Sequence, residues 1–176
     1  MTDVSLAPAE YWHGVIAQLG VPGCEGGIVL QPPPEGRPVP TATALPLPLY
    51  ALMPDRPPIG VEPGAPALRV VGDIQAIATA PDRLWARGTF HLHTPDGRAA
   101  AAGFAAGRRT HVAVHIRPDQ AETLTGPDGR PQVVYQSWVL LAAMLTDTPL
   151  YPECAIRTVY VPDVPLCPEA PVPALT

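Results

Sequence analysis

Residues able to do chemistry are few in this chain of 176 residues, and they fall in two short stretches. LWARGTFHLH carries His91 and His93, and GRRTHVAVHI carries Thr110, His111 and His115. Alternate residues of an extended strand share a face. His91 therefore lies with His93, and His111 lies with His115 on either side of Ala113. Neutral imidazoles at such a spacing can converge on zinc, so two pairs on neighbouring strands would offer four ligands. No cysteine or carboxylate stands at a supporting spacing beside them. The alternative is that all four are polar-face residues, with Val112, Val114 and Ile116 filling the core opposite. The balance of these readings leaves no metal or other cofactor expected.

Nucleophiles are scarcer still. The only serines are Ser5, near the N-terminus, and Ser137, inside an apolar run. Thr110 adjoins His111, but it lies three positions before Ala113, which puts the two on opposite faces of a strand. A hydroxyl attacks a carbonyl only when a base removes its proton, so position relative to an imidazole decides the matter. Cys24, Cys154 and Cys167 are odd in number and widely spaced, as idle thiols of a reducing compartment would be.

The elements that must hold these residues read as short strands. Tyr11 to Gln18 (YWHGVIAQ) has strand character, with Gly26 to Gln31 as its partner across a glycine-rich turn. QPPPEGRPVP and MPDRPPIGVEPGAP are proline-rich loops on either side of TATALPLPLYAL. Leu68 to Ala78 and Leu84 to His93 form a hairpin about the turn APDR, and TPDG is a further turn. Alanine-rich Arg98 to Ala106 is the one helix, stopped by Gly107. Thr110 to Ile116, Val133 to Leu145 and Ala155 to Val161 complete seven or eight strands. That tally is an all-β barrel or sandwich carrying a helix.

Composition limits what such a domain does. All eleven basic residues are arginine, the formal net charge is −5, and the arginines are scattered. Nucleic-acid binding needs a clustered basic footprint, which is absent here. The 47% hydrophobic fraction supports a packed core. MTDVSLAPAE has neither the basic nor the apolar region of a signal peptide, and WVLLAAML is too short to span a bilayer. A soluble cytoplasmic protein without membrane partners is expected. The 26 prolines concentrate toward the two ends. Proline-stiffened segments lose little entropy on docking, which suits them to contact a partner.

Five segments, in order, resemble the prohead (capsid-maturation) proteases of tailed phages, a family that shares its barrel with the herpesvirus assemblins. They are YWHGVIAQLGVPGCEGGIV, TALPLPLYAL, VVGDIQAIATAPDRLWARGTF, the helix RAAAAGFAAGR and WVLLAAMLTDTPLYPECAIRTV. The resemblance implies a mainly β, prohead-protease-like barrel over residues 11–161, an N-terminal arm over 1–10 and a proline-rich tail over 162–176. The family hydrolyses peptides with a serine and a histidine base. Its serine position falls on Ala113 here, and the segment that would hold its histidine, ALMPDRPPIGVEPG, has none. The resemblance thus implies a pseudo-protease, with Thr110, His111 and His115 as the remaining catalytic candidates. Its expected work is in phage head assembly or as a capsid-associated structural protein of the virion. The expected partners are the major capsid protein, other head proteins or further copies of itself, in the host cytoplasm or the capsid. The alternatives are an active maturation peptidase with catalytic residues in unfamiliar positions, and a small metal-binding β-barrel.

Overall fold

A computed structural model describes residues 11–22, 28–53 and 67–147, together with the backbone of 156–158. The proposed N-terminal arm, the loop after Met53, the crossing after Asp147 and the C-terminal tail lie outside the described residues. So do Ser5 and all three cysteines.

The chain is mainly β. Among the described residues the strands are β1 (Tyr11–Gln18), β2 (Ile28–Leu30), β3 (Leu47–Met53), β4 (Ala67–Ala80), β5 (Arg83–Phe90), β6 (His111–Thr125), β7 (Pro131–Thr146) and β8 (Ile156–Thr158). One helix, α1 (Pro95–Ala105), separates β5 from β6. All eight strands belong to one sheet in the order β2-β7-β3-β4-β5-β1-β8, with β6 paired to β7. The sheet curls into a half-barrel.

Strand β7 organises one side of the sheet. Antiparallel β6 covers one of its edges from Pro131 to Thr146. Along the other edge β2 pairs in parallel near Val133–Tyr135, and β3 pairs in parallel near Ala143–Leu145. The proline-rich stretch between them is held to the same edge. Gln31 N donates to Tyr135 O, and Ala42 N donates to Leu140 O, whose own N–H donates to Pro40 O. Trp138 Nε1 adds a bond to Gln31 O at 2.9 Å. Prolines here cost no ladder bonds, because the sheet needs donors from this segment at only a few points.

Extra residues bend the strands. Register shifts fall between Val15 and Ala17 in β1, between Leu49 and Tyr50 where β3 meets β4, and between Ile74 and Ala76 in β4. Each bulge raises the local twist, which lets one sheet wrap around its own inner face. That face buries Trp12, Ile16, Leu47, Leu49, Ile74 and Leu84 completely or nearly so. Helix α1 packs on β4 and β5 and adds Ala100, Ala101 and Phe104 to this core. Phe104 meets Phe90 with ring centroids 5.8 Å apart.

Several expectations need correction. The stretch Gly26–Gln31 contributes β2 to the edge of β7, not to β1; the chain after β1 meets β2 through a Pro22–Val29 bridge and a bond from Gly20 N to Leu30 O. Strand β5 ends at Phe90, before His91, and α1 starts a turn earlier than its alanine run. The physical cause is the TPDG segment, which is a helix start and not a free turn. Thr94 caps α1 by accepting from Gly97 N, and Pro95 occupies the first turn, where its missing N–H costs nothing. Gly107, at φ +78°, ends the helix as expected. Strand β6 runs on through Pro118 to Thr125, leaving a tight hairpin turn in place of a longer loop. Proline is tolerated there because no described strand pairs with the other edge of β6.

Candidate functional site

The strand β6 places His111, Ala113 and His115 on the outward face, opposite buried Val112 and Val114. Cross-strand register sets Ala113 beside Met144, and Met144 beside Tyr50 of β3. The Tyr50 and His115 rings stack with centroids 6.3 Å apart. Ala113 itself is only 9% exposed. His111 has a hydroxyl near it, since Thr110 Oγ1 lies 3.5 Å from His111 Nδ1. That distance is at the outer limit of hydrogen bonding. No carboxylate among the described residues is recorded in contact with either imidazole of β6. Ser137 pairs with Gln120, five residues along β7 from the partner of His115, roughly 17 Å at ordinary strand rise.

A second cluster forms where β4, β5 and the start of α1 meet. Asp73 pairs with Thr89 across the hairpin. Its Oδ1 accepts from Thr89 N at 3.2 Å and from Thr89 Oγ1 at 2.9 Å. Its Oδ2 stands 3.4 Å from His91 Nε2, and the two side chains are 18% and 27% exposed. His93 follows, exposed, with its ring centroid 5.2 Å from that of His91. Gln75 Nε2 reaches Thr89 Oγ1 at 3.4 Å on the rim.

The turn that carries both imidazoles is fixed by its backbone. His91 N donates to Val71 O, Leu92 N to Phe90 O and Thr94 N to His91 O. Thr94 Oγ1 donates to His91 O while accepting from Gly97 N, and Arg98 NH1 donates to Leu92 O at 2.9 Å. Gly97 is required by this closeness. A Cβ there would overlap the His91 carbonyl oxygen and lie 2.6 Å from its carbon. The cluster is thus an imidazole pair on a rigid turn, facing a carboxylate whose second oxygen is held in place.

The four histidines do not come together as a single set. The topology separates β5 from β6 by β4, β3 and β7, so the two pairs do not stand on neighbouring strands. His91 and His93 also sit on the turn after β5, not on the strand. Among the described residues, no three His, Cys, Asp or Glu side chains are placed to hold a metal ion together. The residue that sequence reasoning misses is Asp73. Counting back from the turn at Pro81 and Asp82 pairs Asp73 with Phe90, which points it at the core. The extra residue at Gln75 shifts the pairing by one, to Thr89. The mark such a bulge leaves in the sequence is indirect: a polar residue, Asp73, that the regular register would turn into the core.

Comparison of the chain with protein-family models, with curated proteins and with solved structures gives no match.

Proposed function

We infer that this chain is a prohead-protease-like barrel protein without peptidase activity, working in tailed-phage head assembly through contacts with capsid-family proteins. The observation that carries the loss of activity is the chemistry around Ala113. A serine peptidase needs a nucleophilic oxygen, an imidazole that takes its proton and a group that orients the imidazole. The centre of β6 offers a methyl group between two imidazoles, neither recorded against a carboxylate among the described residues. His91, which faces the Asp73 carboxylate, lies on the turn after β5, and the nearby Thr89 hydroxyl is committed to Asp73. These parts are distributed over two places that the sheet separates by β4, β3 and β7.

A contact role is supported by the β6–β7 hairpin. Residues 117–125 of β6 are all exposed, and no described strand occupies their outer edge. Such an edge can accept a strand from a partner. Pro118 and the charges of Arg117, Asp119 and Glu122 blunt it against indiscriminate pairing. The test is particle composition. Capsids assembled with and without the gene are compared for the chain, and purified chain is sedimented with capsid protein. Stoichiometric retention supports the reading. A chain that stays monomeric, leaves no trace in particles and does not sediment with capsid protein overturns it.

One observation favours a second reading, a peptidase built on Thr110, because its hydroxyl lies 3.5 Å from His111 Nδ1. Processing of capsid or scaffold protein that disappears in Thr110→Ala would establish it. Equal, absent processing by both proteins removes it.

A further inference from the structure

We propose that two copies of this chain pair through the free edge of β6, antiparallel to each other and centred on Thr123. The inference rests on the reading of this edge as a contact surface, but not on a capsid partner. It comes from where β6 points its main-chain groups. Successive residues of an antiparallel strand turn N–H and C=O to opposite edges, so each one either bonds to β7 or is offered outward. Tyr135 O accepts from Gln31 N, so Tyr135 faces β2 and not β6. Val133, two residues earlier on β7, faces the same way. Ala121 pairs with Tyr135 and Thr123 with Val133, and both therefore point away from β7. At the hairpin end Gly126 N donates to Arg130 O, which turns the preceding Thr125 outward as well. The open row is thus Ala121, Thr123 and Thr125, all exposed and with no described strand beside them. Pro118, which has no N–H, and the register shift between Pro118 and Gln120 close the row at its other end.

A row of three outward residues is symmetric about its middle. A two-fold axis at Thr123 sets Thr123 against Thr123, and Ala121 against Thr125 on both sides. Each such pair exchanges two main-chain bonds, about six in all, and no group of the row is left open. The side chains suit the same register. Facing threonines are a favourable cross-strand pair, and Glu122 falls opposite Leu124 of the second copy, so the two carboxylates do not meet. Centring the axis on Glu122 would oppose those carboxylates and leave Thr125 unpaired. Centring it on Leu124 would leave Ala121 unpaired. Either choice uses only about four bonds. The charges that blunt the edge, Arg117 and Asp119, lie outside the row. Five residues a side fall far below the roughly 20–30 of a stable interface, so the pairing is reversible and depends on concentration.

Sedimentation velocity of the full chain over a concentration series, with its thiols kept reduced, reads the pairing. A monomer–dimer equilibrium is the expected result. Leu124 is 43% exposed, so a charge there leaves the fold intact. Leu124→Lys sets a cation against Glu122 at both ends of the row and tightens the dimer by roughly 2- to 30-fold. Leu124→Glu opposes carboxylates at the same two places and loosens it by a similar factor. Leu68→Lys, at an exposed position of β4 away from this edge, leaves the equilibrium unchanged. The proposal is overturned by a chain that stays monomeric throughout, by a dimer that Leu124→Lys does not tighten, or by one that Leu68→Lys dissolves. A monomer that sediments with capsid protein removes this inference and leaves the head-assembly role standing. A dimer with the expected charge responses that ignores capsid protein does the reverse.

Discussion

Gly88→Ala is the sharpest single test of how this sheet holds the Asp73 cluster. Gly88 lies in β5 between Ile74 of β4 and Trp12 of β1. An added Cβ would overlap the Asp73 carbonyl oxygen and stand 2.7 Å from both the Asp73 carbonyl carbon and Trp12 Cζ2. One obstacle is backbone, and the other is a ring with no exposed surface at the middle of the core. Neither yields cheaply. Moving β4 outward loosens two or three ladder bonds at about 1 kcal/mol each, and displacing Trp12 forfeits a further part of its packing, about 2 kcal/mol or more. The expected loss is at least about 4 kcal/mol, in the exceptional class for one substitution. In a chain of this size that lowers Tm by on the order of 10 °C. The control is Gly36→Ala, where φ is +74° and nothing lies within 4 Å of the added atom. Only the left-handed backbone is penalised there, at about 1 kcal/mol, for a fall of roughly 2–4 °C. Thermal and urea melts of both variants give the comparison. Equal, small shifts in the two would refute the close approach of β4 and β5 at Gly88, and with it the register that aims Asp73 at Thr89.

Three further outcomes follow from particular contacts. Thr89→Val removes the 2.9 Å bond to Asp73 Oδ1 but keeps the N–H bond, so the protein should lose about 1–2 kcal/mol in urea unfolding. Trp138→Phe leaves the Gln31 carbonyl without the indole N–H and should cost about 1–2 kcal/mol, read as a lower denaturation midpoint with an unchanged m-value. Asp82 has its pKa lowered first by the side-chain hydrogen bond from Arg83 and then by the charge of that guanidinium. A carboxyl with a depressed folded pKa stabilises above its unfolded value, about 3.9, and loses that contribution as pH falls through the folded value. Because Asp82 is 60% exposed, Asp82→Asn should cost only a few tenths of a kcal/mol at pH 7 and nothing once the pH is below the folded value.

The mainly β class was legible because its signals are local. Alternation in Arg83–Phe90, the APDR turn and the run of alanines before Gly107 each fix an element without knowledge of its neighbours. Pairing was less legible where it depends on distant strands. β2 is too short to declare a partner, and it reaches β7, more than a hundred residues away, through main-chain bonds that leave no side-chain pattern. The ends of β5 and α1 were misjudged for a different reason. Thr94 and Pro95 fit both a turn and a capped helix, and the choice is made by Gly97, which lets the helix begin against the His91 carbonyl.

The same competition explains why half of the candidate site could be read and half could not. His91 and His93 announce themselves by residue type, although their strand assignment was wrong. The carboxylate opposite them depends on one inserted residue, Gln75, in the middle of β4. With regular pairing, Asp73 would face Phe90 and bury an unpaired charge in the core, which is far too costly to persist. The bulge turns Asp73 outward to Thr89 and His91, and opposite Gly88 it leaves room for the two backbones to approach. A polar residue in a strand whose regular register would bury it is therefore itself a sign of a bulge. In the sequence VVGDIQAIATAPDRLWARGTF that sign is Asp73, and the residue it should be matched against is the first polar neighbour of Phe90, which is Thr89.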